Sequence, residues 1–232
     1  MVKIFFCAIL ILVTSFTTAF AEERVPTISV NGEGMVEAPP DSATISIGVT
    51  SFDRDATKVQ NENARIATNV INAVAALGID KKNIRTGNYS FQQRFRYDEG
   101  KQIFDGYEVN NTVTIAVNDL NKVGKVIDAA LASGANRVDS LNFGIRDREN
   151  FQSDALKLAV RDARRKAEIV AAELGKRIVG IVNVSINSAP IMSARTENLM
   201  LASAKDANFS TPIEAGILSC SASVQIDFEI SR

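Results

Sequence analysis

Apolar residues recur along this chain with two periods, and the switches between them divide it into elements. From Thr27 to Glu37 they alternate with polar ones around Ile28, Val30 and Val36, the pattern of a half-buried strand. Gly32 and Gly34 mark a bulge or a close backbone approach within it. Pro39-Pro40-Asp41 reads as a turn, and alternation resumes from Ala43 to Thr50, predicting a second strand paired with the first. Between Asp55 and Leu77 the period lengthens. Ala56, Val59, Asn63, Ile66, Val70, Ala73 and Leu77 share one helical face, with Asp53 or Asp55 as cap and Gly78 past the end. Ile84 to Tyr97 returns to period two, placing Tyr89, Phe91, Phe95 and Tyr97 on one face and Ser90, Gln92, Arg94 and Arg96 on the other. Asp98-Glu99-Gly100-Lys101 turns the chain. Tyr107, Val109, Val113, Ile115 and Val117 share a face on the return, so the two runs predict a long hairpin.

Asn118 reads as the cap of a second helix carrying Leu120, Val123, Ile127 and Ala130, closed by Gly134. Val138, Leu141, Phe143 and Ile145 mark an extended segment. A third helix, about Phe151 to Leu174, carries Ala155, Ala159, Ala163, Ala167 and Ala171 at four-residue steps, and such small side chains let a helix axis lie close to a sheet. Pairs such as Asp162 with Lys166 fall on its exposed side. Arg177 to Ile186 and Ala215 to Ile230 supply two last strands. Between them, residues 188–214 keep no sustained period; the alternatives are disorder in an isolated monomer and contact-forming order in an assembly. The order of elements predicts an α+β fold: an antiparallel-rich sheet backed by helices, with the long β-hairpin and, from Ala43 to Ile145, a split βαβ order.

The N-terminus follows a different pattern. Met1-Val2-Lys3, an apolar run from Ile4 to Val13, and Ala19-Phe20-Ala21 form the charged start, apolar core and small-residue stop of a secretory signal peptide over residues 1–21. The run is too short for a stable membrane anchor. Residues 22–232 then form a single exported domain, large enough for a proper hydrophobic core without disulfides. Removal of the signal takes Cys7 with it and leaves Cys220 alone, read as a buried, inert thiol between small neighbours.

Composition narrows the chemistry. The chain contains 26 basic and 27 acidic residues, a balance that favours neither nucleic acid nor an anionic membrane surface as partner. It contains no histidine, which removes Ser-His-Asp and Cys-His relays, imidazole acid-base catalysis and His-bearing zinc sites. Gly32-Glu33-Gly34 lacks the third glycine and following helix of a nucleotide loop. No motif selects a pair among the carboxylates for glycoside hydrolysis. No catalytic, metal or cofactor residues are therefore assigned.

Four stretches in order resemble the SIMPL-domain family of bacterial envelopes. They are Ile28 to Val49; Leu77-Gly78-Ile79 with Asn83 to Thr86; Asp162 to Glu168 followed by Leu174-Gly175; and Gly216 through Val224 to Phe228-Glu229-Ile230. The resemblance spans nearly the whole chain after the signal. It implies an α+β fold of a sheet backed by helices, export to the periplasm or outer envelope, and homo-oligomers that can be large and ring-like. It brings no catalytic residues and no cofactor. It also implies a connection with oxidative-stress tolerance and host antibody responses. Val182 to Ser188 lacks the acidic ending expected after that strand.

These observations predict an exported, non-enzymatic periplasmic protein whose partner is a second copy of itself, with Tyr89, Phe91, Phe95 and Tyr97 as the self-association surface. The alternative is a monomeric binding module taking a peptide or glycan on the same aromatic face.

Overall fold

Each run of alternating residues becomes a strand and each longer period a helix, with the ends set by capping groups. The computed structural model describes residues 25–195, 211 and 213–232. In chain order the elements are β1 (Thr27–Ala38), β2 (Ser42–Asp53), α1 (Ala56–Ala76), β3 (Ile84–Asp98), β4 (Lys101–Val117), α2 (Val123–Ala132), β5 (Arg137–Gly144), α3 (Arg148–Glu173), β6 (Ile178–Arg195) and β7 (Ile217–Ile230). The fold is α+β and its strand pairings are antiparallel. The expected signal peptide lies outside the described residues, as does most of the segment 188–214. Its opening residues, expected to be irregular, continue β6 and pair with β7 as far as Arg195. Register shifts on either side of Ser188 erase the period there, which is why the sequence pattern stops short of the strand.

The strands divide into two sheets, in the orders β3-β4-β2-β5 and β1-β7-β6. The first has the split βαβ arrangement, with α1 and α2 packed on one face. Ala43, Ile45, Ile47 and Val49 of β2 meet Val113, Ile115 and Val117 of β4 beneath Val70, Val74, Val123 and Val126. Asp55 caps α1, its carboxylate accepting from the backbone N–H groups of Thr57 (2.8 Å) and Lys58 (3.1 Å). At the other end Gly78 takes φ +79°, and Lys122 Nζ donates to the Leu77 carbonyl at 3.0 Å. The cap expected at Asn118 is instead Asp119, whose carboxylate accepts from Asn121 N–H at 3.1 Å. A single 3-10 turn, Leu120–Lys122, follows it before α2 begins.

The expected pairing of β1 with β2 does not form. β1 pairs with β7, from Thr27 opposite Glu229 to Ala38 opposite Leu218. Pro39 and Pro40 hold the connection extended rather than tightly turned. Asp41 anchors it by accepting from the backbone N–H (2.8 Å) and guanidinium (3.1 Å) of Arg146. Above this second sheet lies α3, with Ala155, Ala159, Ala163, Ala167 and Ala171 buried. It crosses β1 at the two glycines. A Cβ on Gly32 would stand 2.1 Å from the Ala159 carbonyl oxygen, and one on Gly34 2.1 Å from that of Ala155. Close backbone approach, rather than a bulge, is therefore the reason for glycine at both positions. Cys220 sits fully buried in this core, where burial pushes its thiol pKa up.

Candidate functional site

The hairpin β3–β4 begins as part of the first sheet and outruns it. Its partner β2 ends at Asp53, opposite Tyr107, and α1 starts at Ala56, so neither continues over the residues between Arg94 and Gly106. At about 3.3 Å per residue, the hairpin projects about 17 Å beyond that point. The last covered position is held by Asn63 of α1. Its buried amide donates to the carbonyls of Val49 (3.0 Å) and Val109 (3.3 Å) and to Ser51 Oγ (3.2 Å).

The aromatic residues lie on the continuation of the core face. Phe91 is opposite Val109, and Phe95 is opposite Phe104. Ring centroids are 5.5 Å apart for Phe91 and Tyr107, 5.3 Å for Tyr107 and Phe104, and 6.0 Å for Phe104 and Phe95, the last two edge-on. The four residues singled out by alternation are uncovered: Tyr89 is 49 % exposed, Phe91 and Phe95 42 %, and Tyr97 77 %.

Phe104 belongs to this array and simple alternation misses it, because Phe104 and Tyr107 differ in parity. A one-residue register shift at Asp105–Gly106 brings both to the same face. Gly106 takes φ +150°, and a Cβ there would stand 2.7 Å from the Asp53 carbonyl oxygen and 2.9 Å from the Phe52 ring. The Gly106 in the return strand is the one signal in the sequence for that shift.

The opposite face of the same sheet is polar and internally paired. The Arg137 guanidinium donates to Asp139 (2.8 and 3.1 Å), Thr50 Oγ1 (2.7 Å) and Asn110 Oδ1 (2.8 Å). The Arg137 partner and the hydroxyl of Thr112 hold the Asp139 carboxyl below its usual value. Arg94 stacks over the Phe52 ring at 5.0 Å. Among the described residues, no group of three or more Cys, Asp or Glu side chains is placed to hold a metal ion.

The second sheet carries a different feature. Strand β6 forms one edge, and α3 lies over β1 and β7, leaving Ile181, Val184 and Ile186 more than half exposed. Between α3 and β6 runs an open groove of about 600 Å³.

Residues 28–228 match the SIMPL family, described as a protein of unknown function (DUF541). The chain belongs to the SIMPL family. It is 33% identical over 226 residues to the 26 kDa periplasmic immunogenic protein of Brucella melitensis biotype 1, covering 91% of this chain and 90% of that protein. It is 24% identical over 205 residues to the uncharacterized protein YggE of Escherichia coli K12, covering 88% and 83%. The YggE of Edwardsiella ictaluri is 26% identical over 184 residues, covering 79% and 77%. The matched range runs from the second residue of β1 to Phe228 in β7, so it takes in both sheets and the projecting hairpin of this SIMPL protein. Like the Brucella protein, it is periplasmic. No helix among the described residues is long and apolar enough to cross a membrane. Neither the family description nor these names state a catalytic activity.

Proposed function

We propose that this SIMPL protein is an exported, non-enzymatic envelope protein that self-assembles into a homo-oligomer, ring- or channel-like, through the aromatic face of its β3–β4 hairpin. Its role is in envelope or oxidative stress, and it serves as a surface-exposed antigen. The observation carrying this reading is the uncovered array of Tyr89, Phe91, Phe95, Tyr97 and Phe104. At roughly 200 Å² per aromatic side chain, their exposed fractions leave on the order of 500 Å² of apolar surface in one patch. A patch of that size is most of one partner's share of a standard interface, about 800 Å².

Sedimentation of the protein without its signal, at micromolar concentration and in high and low salt, is expected to give a mass several times that of one chain. Replacing Phe91 and Phe95 by Ser should return the monomer mass with an unchanged circular dichroism spectrum, since both rings are already exposed. Monomer alone for the unsubstituted protein removes the proposal. Monomer that binds a peptide or glycan, with binding lost in the double substitution, instead establishes the binding-module alternative.

A further inference from the structure

Helix α3 is tied to one edge strand of the sheet β1-β7-β6 and stands off from the other. At β1, Lys166 Nζ donates to the Asn31 carbonyl at 3.0 Å, and the Asp162 carboxylate accepts from the Glu33 N–H at 3.1 Å. Among the described residues, β6 has a strand neighbour, β7, on one side only. Ile181, Val184 and Ile186 lie opposite Phe228, Ile226 and Val224, so they share the face on which α3 packs, yet each is more than half exposed. Beside them runs the groove, with Ile226 and Phe228 as its floor, Val160 and Ala172 on the helix side and Ile181 on the strand side.

Two cations stand at one end of this groove. The chain passes from α3 into β6 through Gly175, Lys176 and Arg177. The Lys176 N–H donates to the Ala171 carbonyl at 2.8 Å and the Arg177 N–H to Ser231 Oγ at 3.2 Å, which fixes both residues where helix gives way to strand. Both line the groove, and neither forms an ion pair among the described residues. The neighbouring charges do not cancel them. Arg164 is paired with Glu168 at 2.9 Å, Arg232 is already in contact with another group, and Glu173 lies outside the groove lining. Glu229 follows Phe228 in β7, so alternation turns it to the opposite face of the sheet.

We propose that this groove takes an extended peptide with a free C-terminal carboxylate, which adds to β6 as a further strand and sets alternate apolar side chains on Ile226 and Phe228. The open side of β6 offers backbone N–H and C=O groups, which a peptide can pair and a hydrocarbon chain cannot. The strand pairings among the described residues are antiparallel. A strand added to β6 in that sense runs towards Arg177 and ends there, bringing its carboxylate to Lys176 and Arg177. A parallel strand would bring its ammonium group to the same two cations, so charge selects the direction. Two extra residues in β6, at Val179 and Val182, twist the edge, which suits a short peptide better than the long edge of another sheet. The site is separate from the β3–β4 hairpin and does not depend on self-assembly.

The test uses the protein without its signal and a fluorescein-labelled hexapeptide of alternating serine and valine with a free C-terminal carboxylate. Fluorescence anisotropy is expected to show saturable binding, weakened by at least about tenfold when the peptide's C-terminus is amidated. Lys176→Ala with Arg177→Ala should weaken the acid peptide to a similar degree and abolish its advantage over the amide, with an unchanged circular dichroism spectrum. Bound peptide should slow hydrogen exchange at backbone amides between Ile181 and Val184. Phe91→Ser with Phe95→Ser should leave binding as it is, which separates this site from the hairpin. Equal affinity for acid and amide, or no saturation by millimolar peptide, overturns the proposal. Binding lost in the Phe91→Ser, Phe95→Ser variant but kept in the Lys176→Ala, Arg177→Ala variant overturns it too, and moves the peptide to the aromatic face. Laurate bound through Lys176 and Arg177 where the peptide does not bind assigns the groove to an anionic amphiphile instead. Slow exchange of the same β6 amides in a peptide-free assembly that takes up no peptide assigns that edge to a second copy.

Discussion

Gly32 is where a residue's lack of a side chain has the clearest structural consequence. Both Gly32 and Gly34 lie beneath the backbone of α3, and the alanine series completes the contact from the helix side. Gly32→Ala would place a methyl group against a carbonyl oxygen that belongs to a helix and cannot rotate away. The expected loss is at least about 2 kcal/mol in chemical denaturation, from overpacking. The residues flanking Gly32 are tied to α3 by Asp162 and Lys166, which also pair with each other at 2.7 Å. Sequence spacing identifies that pair but assigns it only to the helix surface, since nothing local shows that β1 lies underneath. Lys166, the Glu33 amide and Arg165 hold the Asp162 carboxyl well below the usual carboxylate range. Its folded-state pKa is depressed, so the stabilisation is present above the unfolded value of about 3.9 and is lost as pH falls through and below it. Urea unfolding of Asp162→Asn and the parent protein should therefore differ most at neutral pH and converge on acidification; a constant difference across the range contradicts this.

At the scale of elements, the hairpin was legible in length and in the faces of β3, and less so on the return strand. Tyr89, Phe91, Phe95 and Tyr97 share one face, as their spacing requires. Alternation separates Phe104 from Tyr107, and the shift at Gly106 rejoins them. The same glycine lets Phe52 and the end of β2 approach the hairpin where it leaves the sheet. Gly106→Val would introduce both a clash and an unfavourable φ. We expect it to cost about 1–3 kcal/mol, and to reduce assembly beyond that loss, because the distal aromatic residues would lose their alignment with Phe91. Denaturation and sedimentation on the same sample separate the two effects. Unchanged stability and unchanged mass would show that the shift does not align the array.

For the whole molecule, the decisive feature is that most buried side chains among the described residues fall into two clusters, one per sheet, with no residue in common. A cluster with its own sheet and helix layer holds much of its stabilisation within itself. Heating is accordingly expected to depart from two-state behaviour, with a calorimetric enthalpy larger than the van't Hoff value. Val113→Ala, in the first cluster, should lower only one of the two component transitions. A single transition with equal enthalpies, shifted as a whole by that substitution, would show that the two clusters unfold as one.

What the sequence determined by itself is what depends on near neighbours. Strand and helix periods, the Asp55 cap, the Gly78 stop and the apolar faces of the hairpin all arise from backbone geometry within a few residues. Their order was enough for the α+β class and the split βαβ arrangement. Three decisions belong to tertiary structure: β1 joins β7 rather than β2, Phe104 joins the aromatic face, and Ile181, Val184 and Ile186 of β6 are left exposed beside α3. Each depends on residues far apart in the chain, as Thr27 is from Glu229, or on a one-residue shift that exchanges the two faces of a strand. Periodicity states which residues need cover. Which distant surface supplies that cover is settled only when the layers pack.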